Sequence, residues 1–143
     1  MKLYYALSER GPPDLVSFLK TLDWKLQQKI LSQFYVLMTQ PLPTEPTVKH
    51  LAIEKHSKLY ELRARSVVMV RITFTIQRDG SILFLVPFIK RHTRNTVQAL
   101  DASLNVLKQV SSGLCGIHEV PISRLLENAS ADSGKVPTNG TQK

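Results

Sequence analysis

The sequence predicts an α+β fold in which an N-terminal strand and a helix pair pack on a curved antiparallel sheet, with a C-terminal helix. Two patterns support this. Apolar residues recur at helical spacing over residues 15–38 and 97–110, whereas residues 59–88 alternate or run apolar as β-strands do. The 143-residue chain suffices for one domain with a real core and is too short for two ordinary ones. We expect that domain over residues 1–128.

The N-terminal part is predicted to hold a strand and two helices. The apolar and aromatic segment Lys2–Leu7 is typical of a strand, and Ser8–Pro13 interrupts it. Pro12 and Pro13 suit the first turn of a helix, and Asp23 can cap a second one. The positions predicted to face the core are Leu15, Phe18, Leu19, Leu22, Trp24, Gln27, Ile30, Leu31, Phe34, Leu37 and Met38.

A proline-rich loop over residues 40–46 and an irregular or short helical link over residues 48–56 lead to the sheet. Alternation over residues 59–65 and 67–77 predicts two half-buried strands. On these strands, three arginines stand on the polar faces: Arg63, Arg65 and Arg71.

The third strand of this predicted meander follows Asp79-Gly80, a pair that is typical of a tight turn. Residues 82–88 are almost continuously apolar. Because Pro87 cannot donate to a ladder, we expect this strand to bulge, to end early or to lie partly at an edge.

The C-terminal part is predicted to be helical, then polar. A helix over residues 93–110 could be capped by Thr96, and its apolar seam comprises Val97, Leu100, Leu104, Leu107 and Val110. Residues 111–116 form a break, and residues 121–128 suit one short helix. The small, polar segment 129–143 is expected to be disordered.

Positive charge is concentrated in the predicted sheet and its entry. The formal net charge is +8, and residues 49–94 contribute ten Lys or Arg against three Asp or Glu. Such an excess favours a polyanionic partner: RNA, DNA, an anionic membrane or an acidic protein. A single cysteine, Cys115, excludes an intrachain disulfide and fits a reduced, cytoplasmic setting. No apolar run approaches the roughly 20 residues that span a bilayer.

A cationic cluster at the end of the third strand is the candidate site. Neighbouring strands lie about 4.8 Å apart, so side chains on one face of the meander converge there. The candidate residues are Arg63, Arg65, Arg71, Lys90, Arg91, His92 and Arg94.

Such a group suits RNA cleavage, because Arg and Lys bind phosphates and RNA carries its own nucleophile, the 2′-OH. The reaction requires in-line alignment, two proton transfers and stabilisation of the phosphorane charge, without a metal or cofactor. His92 could move protons near neutral pH, and Lys90 could act as base or acid. Arg63 and Arg71 would hold the phosphate, with Arg65 and Arg94 binding the RNA more widely. On the residues alone, a solvated basic loop and an ion-paired Arg63 remain alternatives.

The chain resembles the RelE/HigB-like toxins of type II toxin–antitoxin modules, particularly the phage-derived HigB-like group. The matching pieces, in order, are Val48-Lys49-His50-Leu51, Leu59-Tyr60-Glu61-Leu62-Arg63, Arg71, Asp79-Gly80 and Phe88-Ile89-Lys90-Arg91. The resemblance covers roughly residues 2–110.

This resemblance implies a microbial RNase-like fold and an mRNA endonuclease, often acting on the ribosome and neutralised by a small antitoxin. Arg63, Arg71, Lys90 and Arg91 match the basic motif of the family, whereas His92 is inferred from this sequence alone. Two further hypotheses stand beside it. One is a non-catalytic nucleic-acid-binding or phage accessory domain on the same scaffold, and the other is a protein whose basic face meets an acidic protein partner.

Overall fold

The computed structural model describes residues 1–8, 13–51 and 58–127, and this part of the chain confirms the predicted α+β class. Its elements, in chain order, are β1 (Leu3–Leu7), α1 (Leu15–Lys20), α2 (Trp24–Thr39), β2 (Val48–His50), β3 (Tyr60–Arg65), β4 (Met69–Ile76), β5 (Ile82–Lys90), α3 (Thr93–Ser111), β6 (Gly116–Glu119) and α4 (residues 122–127). Within these residues, every helix is too short or too polar to cross a membrane.

One six-stranded sheet organises the molecule, with the strand order β2-β3-β4-β5-β1-β6. The predicted meander is confirmed: β3, β4 and β5 pair antiparallel in sequence order. The N-terminal strand β1 lies parallel to β5 and antiparallel to β6. The meander therefore lies inside the sheet, between β2 on one side and β1 on the other.

Both faces of the sheet are covered. On one face, α1, α2 and α4 pack their apolar side chains onto alternate residues of the strands, around Phe34, Phe74 and Phe84. On the other face, α3 packs against β4 and β5, around Leu59, Leu85 and Ala99. The face predicted to be polar thus lies beneath a helix, which places its charged residues in a partly buried layer.

Both helices of the N-terminal pair begin at an aspartate. The carboxylate of Asp23 accepts a hydrogen bond from the Leu26 N–H at 2.8 Å, which confirms the predicted cap. Asp14 does the same for Ser17 at 3.0 Å. Because Asp14 is the N-cap, Pro13 precedes α1, and its predicted place in the first turn was wrong. Pro12 lies outside the described residues.

The predicted link over residues 48–56 begins as a strand. Val48 pairs with Leu62, and the carbonyl of Thr47 accepts the Arg63 N–H at 2.8 Å. Three residues are too few to show a periodicity, so this strand depends on the edge that β3 offers it. Residues 52–56 lie outside the described part of the chain.

A β-bulge accompanies Pro87, as the sequence predicts. Ile72 pairs with Pro87 and Phe74 pairs with Phe84, so two residues of β5 lie opposite Thr73. The hydroxyl of Thr73 accepts the hydrogen bond of the Val86 N–H at 3.0 Å. The pairing of β5 with β1 ends at Phe84, so the missing N–H of the buried Pro87 interrupts no ladder bond to β1.

The same hydroxyl links the sheet to α3. Ser103 donates to the Ala99 carbonyl at 2.6 Å and lies 2.6 Å from the Thr73 oxygen. Thr73 and Ser103 are both fully buried. The buried residues of α3 are Ala99, Leu100, Ser103 and Val106. Of the predicted seam, Leu100 is buried and Leu104, Leu107 and Val110 pack against the core, whereas Val97 is 52% exposed.

Replacing Thr73 by Val is expected to lower the free energy of unfolding by about 1–3 kcal/mol, because it leaves the buried Val86 N–H without an acceptor. The matched control is Thr75→Val, whose hydroxyl donates to the exposed Lys58 carbonyl. That change is expected to stay within about 0.5 kcal/mol. Urea unfolding of both variants checks this, and equal effects would contradict the role of the Thr73 hydroxyl at the bulge.

The remaining C-terminal expectations have mixed outcomes. His92, rather than Thr96, is the N-cap of α3, and the side-chain oxygen of Asn95 in the first turn accepts the N–H groups of Arg91 and His92 at 3.0 and 2.8 Å. Strand β6 was not predicted, whereas the short helix after Pro121 is confirmed as α4. The expectation of disorder concerns residues 129–143, which lie outside the described chain.

Candidate nucleic-acid interface

The pairing register puts four predicted site residues on one face of the sheet. Arg63 lies opposite Arg71, and Arg65 lies opposite Met69, which in turn lies opposite Lys90. Directly opposed residues of antiparallel strands share a face, with Cβ atoms about 4.5–5.5 Å apart. We call these four residues the basic platform: Arg63, Arg65, Arg71 and Lys90.

A buried carboxylate lies at the centre of the platform. Glu61 is fully buried, and its Oε1 atom accepts from Arg63 Nε at 3.1 Å. The same oxygen lies 3.1 Å from Arg63 Nη2 and 3.4 Å from Arg71 Nη1. Among the described residues, no other carboxylate pairs with either arginine. Two guanidinium cations thus share one carboxylate, and the cluster keeps one positive charge.

The two arginines differ in access. The Arg63 side chain is 20% exposed, whereas that of Arg71 is 11% exposed. Arg71 donates to the Thr96 hydroxyl of α3 at 3.4 Å, and its buried Nε atom has no partner among the described residues. Burial holds the pKa of Arg71 below its usual range; Glu61 raises that pKa and Arg63 lowers it again. An anion would therefore reach Arg63 more directly than Arg71.

The other predicted site residues lie where β5 passes into α3. Lys90 is half-buried at the end of the strand, and Arg91, His92 and Arg94 are exposed. Asn95 fixes the backbone of Arg91 and His92, as described above, so this turn is ordered by its own hydrogen bonds. Since Arg71 contacts Thr96, the first turn of α3 lies next to the platform.

Taken together, the structure gathers the three strand residues Arg63, Arg71 and Lys90 on one face and puts the basic turn at their end. The ion-paired Arg63 that the sequence left open as an alternative is present in the structure, with Glu61 as its partner. Sequence reasoning did not predict that Arg71 also pairs with Glu61. Its position two residues before Arg63 places both on one face of a strand, and only the pairing with β4 adds Arg71 to it. Within the described chain, no three His, Cys, Asp or Glu side chains group as metal ligands would.

Comparison with known proteins adds no relative. No protein-family model matches this chain, and no curated protein matches it significantly.

Proposed function

We propose that this chain is an RNA endonuclease that acts in the cytoplasm as the toxin of a type II toxin–antitoxin module of the RelE/HigB kind. The observation that carries the proposal is the surplus cation of the Glu61–Arg63–Arg71 cluster, on the face that also presents Arg65 and Lys90. Excess positive charge in a partly buried layer attracts an anion more strongly than the same charge does in bulk water.

The described geometry supports different roles for the individual cations. Arg63 and Lys90 would bind the scissile phosphate, and the buried Arg71 would raise the positive potential beneath it. Arg65, Arg91 and Arg94 lie exposed around this point and would bind neighbouring phosphates of the RNA. His92, exposed at the N-cap of α3, is the candidate for proton transfer.

The order of elements also supports the proposal. A strand, a helix pair and an antiparallel meander follow one another here, as the resemblance to RelE/HigB-like toxins implies. Such a toxin would cleave mRNA on the ribosome, and a small antitoxin would inhibit it.

A test uses the full chain and a single-stranded RNA without metal ions. We expect fragments that end in a 2′,3′-cyclic phosphate, and growth arrest with mRNA loss when the chain is expressed alone. The change Lys90→Ala should reduce cleavage, whereas Lys108→Ala, an exposed lysine near the other end of α3, should not. Intact RNA and normal growth with the unaltered chain would refute the nuclease proposal.

Burial favours one competing function. Since Glu61 and Arg71 are shielded from solvent, the platform can bind a phosphodiester without offering it a general base. A non-catalytic RNA-binding domain would bind RNA with the same salt dependence and release no fragments. The cleavage assay above distinguishes the two functions, because both predict binding and only the first predicts products.

A further inference from the structure

Asn95, in the first turn of α3, is not among the site residues predicted from the sequence. Its side-chain oxygen accepts hydrogen bonds from the backbone N–H groups of Arg91 and His92, at 3.0 and 2.8 Å. Its own N–H donates to the His92 carbonyl at 3.0 Å. Three hydrogen bonds thus connect this half-buried residue to the two residues that link β5 to α3.

These bonds settle which way the amide of Asn95 points. With the amide turned over, Nδ2 would face the two N–H groups, and donors would then meet donors. The oxygen therefore faces the backbone of the turn. An apolar side chain at this place could not replace it, because both N–H groups would lose this acceptor. The conformation of the turn thus depends on an acceptor at position 95.

The turn that Asn95 holds carries two residues of the proposed RNA site. Arg91 and His92 extend exposed side chains from it, directly after the end of β5. The residue that follows Asn95 is Thr96, whose hydroxyl accepts from Arg71 of the basic platform at 3.4 Å. The first turn of α3 therefore contacts the platform through Thr96 and fixes the turn before the helix through Asn95.

The acceptor at position 95 carries no charge. Glutamate or glutamine is usual at this third helical position of a capping box, and a carboxylate there is also favoured by the helix dipole. An aspartate could accept the same two N–H groups in charge-assisted hydrogen bonds, but it would put a negative charge beside Arg91 and Arg94. With Asn95, the first turn of α3 contains no acidic residue, and the positive charge beside it is not neutralised from there.

We propose that Asn95 is a positioning residue of the RNA site. It fixes the turn that presents Arg91 and His92, and its uncharged oxygen leaves the positive charge of that turn available to the phosphates of RNA. Asn95 acts through these two residues rather than by contact with the RNA. This inference deepens the proposed action on RNA and rests on it.

Two substitutions in the full chain separate the hydrogen bonds from the charge. Asn95→Asp keeps an acceptor for both N–H groups and adds a negative charge, whereas Asn95→Ala removes the acceptor and adds no charge. The control is Asn105→Asp, which adds the same charge at an exposed position of α3, about three turns away. The measurements are hydrogen exchange of the Arg91 and His92 amides by nuclear magnetic resonance, urea unfolding, and binding and cleavage of a single-stranded hexaribonucleotide.

The charge is tested by Asn95→Asp. We expect both amides to exchange as slowly as in the unaltered chain and the unfolding midpoint not to fall. The hexaribonucleotide should bind about 10-fold more weakly, the effect of one unfavourable charge a few ångströms from the RNA phosphates. That loss should shrink as salt is added, because salt screens exposed charges. Asn105→Asp should change binding by less than about 2-fold, since its charge is more distant.

The hydrogen bonds are tested by Asn95→Ala. The amides of Arg91 and His92 should exchange about 5-fold faster, as expected when each loses one hydrogen bond. In cleavage, kcat should fall more than KM rises, because His92 is no longer held in place for proton transfer while the charges that bind RNA remain.

Four results would overturn the proposal. Asn95→Asp could bind the hexaribonucleotide as tightly as Asn105→Asp does, or lose binding to the same extent at every salt concentration. The two amides could exchange at the unaltered rate in Asn95→Ala, or faster in Asn95→Asp. Failure of the nuclease proposal is distinct from these, because RNA that is bound but stays intact refutes cleavage and leaves the binding comparison in force. An unaltered chain that does not bind the hexaribonucleotide overturns both proposals.

Discussion

Replacing Arg71 by Met is expected to lower RNA cleavage by about 100-fold, in the range measured when one charge-stabilising donor is removed from an active site. The reason is the balance of charge in the cluster. Glu61 is shared by Arg63 and Arg71, so removing one cation leaves a neutral pair. Arg63 would then be fully engaged by Glu61, and the platform would lose the surplus charge that attracts a phosphate.

The same variant should remain folded, which separates this effect from simple loss of structure. Burial already disfavours the charged form of Arg71, as the lowered pKa of its guanidinium shows. Glu61 keeps its hydrogen bond from Arg63 Nε and its ion pair with Arg63 Nη2. We therefore expect the free energy of unfolding of Arg71→Met to change by less than about 1 kcal/mol, because the variant leaves no new buried charge unpaired.

The matched control is Arg78→Met, which removes the same charge from the exposed turn after β4. Cleavage should change by less than about 2-fold, since a distant exposed charge is largely screened by salt. The measurements are initial cleavage rates at several salt concentrations and urea unfolding of each variant. An equal loss of cleavage in both variants would show that only total charge matters and would contradict a localised site.

The meander and its basic face could be predicted because the alternation of residues 59–77 and the Asp79-Gly80 turn act over short distances. Alternation alone places Glu61, Arg63 and Arg65 together on β3, and Arg71 on the corresponding face of β4. The contact between Arg63 and Arg71 also needs the register of the two strands. That register follows from the tight turn at Ser66 and Val68, which carries no strong turn signal.

The position of α3 over this face could not be predicted from the same pattern. A polar face of a strand indicates solvent, yet α3 lies there, held to the sheet by the bonds from Thr73 to Ser103 and from Arg71 to Thr96. Apolar spacing in α3 predicted the packing of Leu100, Leu104 and Leu107 but not that of Ser103, because a buried serine does not enter a hydrophobic pattern. The short strands β2 and β6 were missed for a related reason, since both form through pairing with a neighbour.

A cleft at the edge of β3 is lined by the predicted site residues Arg63 and Arg65, but the part that α2 contributes left no signal in the sequence. Lys29 and Gln33 stand off the apolar stripe of α2, where polar residues are normally only solvated. Their bonds to the carbonyls of Arg65 and Arg63 depend on β3 extending beyond the end of β2. Such a cleft forms where two elements pack together, so the residue pattern of either element alone does not predict it.

Replacing Glu61 by Gln tests the same cluster from the opposite side and is expected to lower the free energy of unfolding by about 3 kcal/mol. Removing one partner of a buried ion pair costs about 3–5 kcal/mol, and the 20% exposure of the Arg63 side chain favours the lower end. Two neighbouring guanidinium groups would then repel without a carboxylate between them. Glu119→Gln on the exposed strand β6 is the control, with an expected change within about 0.5 kcal/mol.

Adding Arg71→Met to Glu61→Gln should restore most of the lost stability, because it removes the repulsion that the first change exposes. Contacting residues of one network couple by about 0.5–3 kcal/mol, so a double-mutant cycle can measure this recovery. Inorganic phosphate should raise the unfolding midpoint of Glu61→Gln more than that of the unaltered chain, since an anion can take the place of the missing carboxylate. A double variant no more stable than Glu61→Gln would show that Glu61 supports the fold by some other contact. In that case the surplus charge on which the proposed RNA site depends would have no basis, because the two arginines would not be sharing one anion.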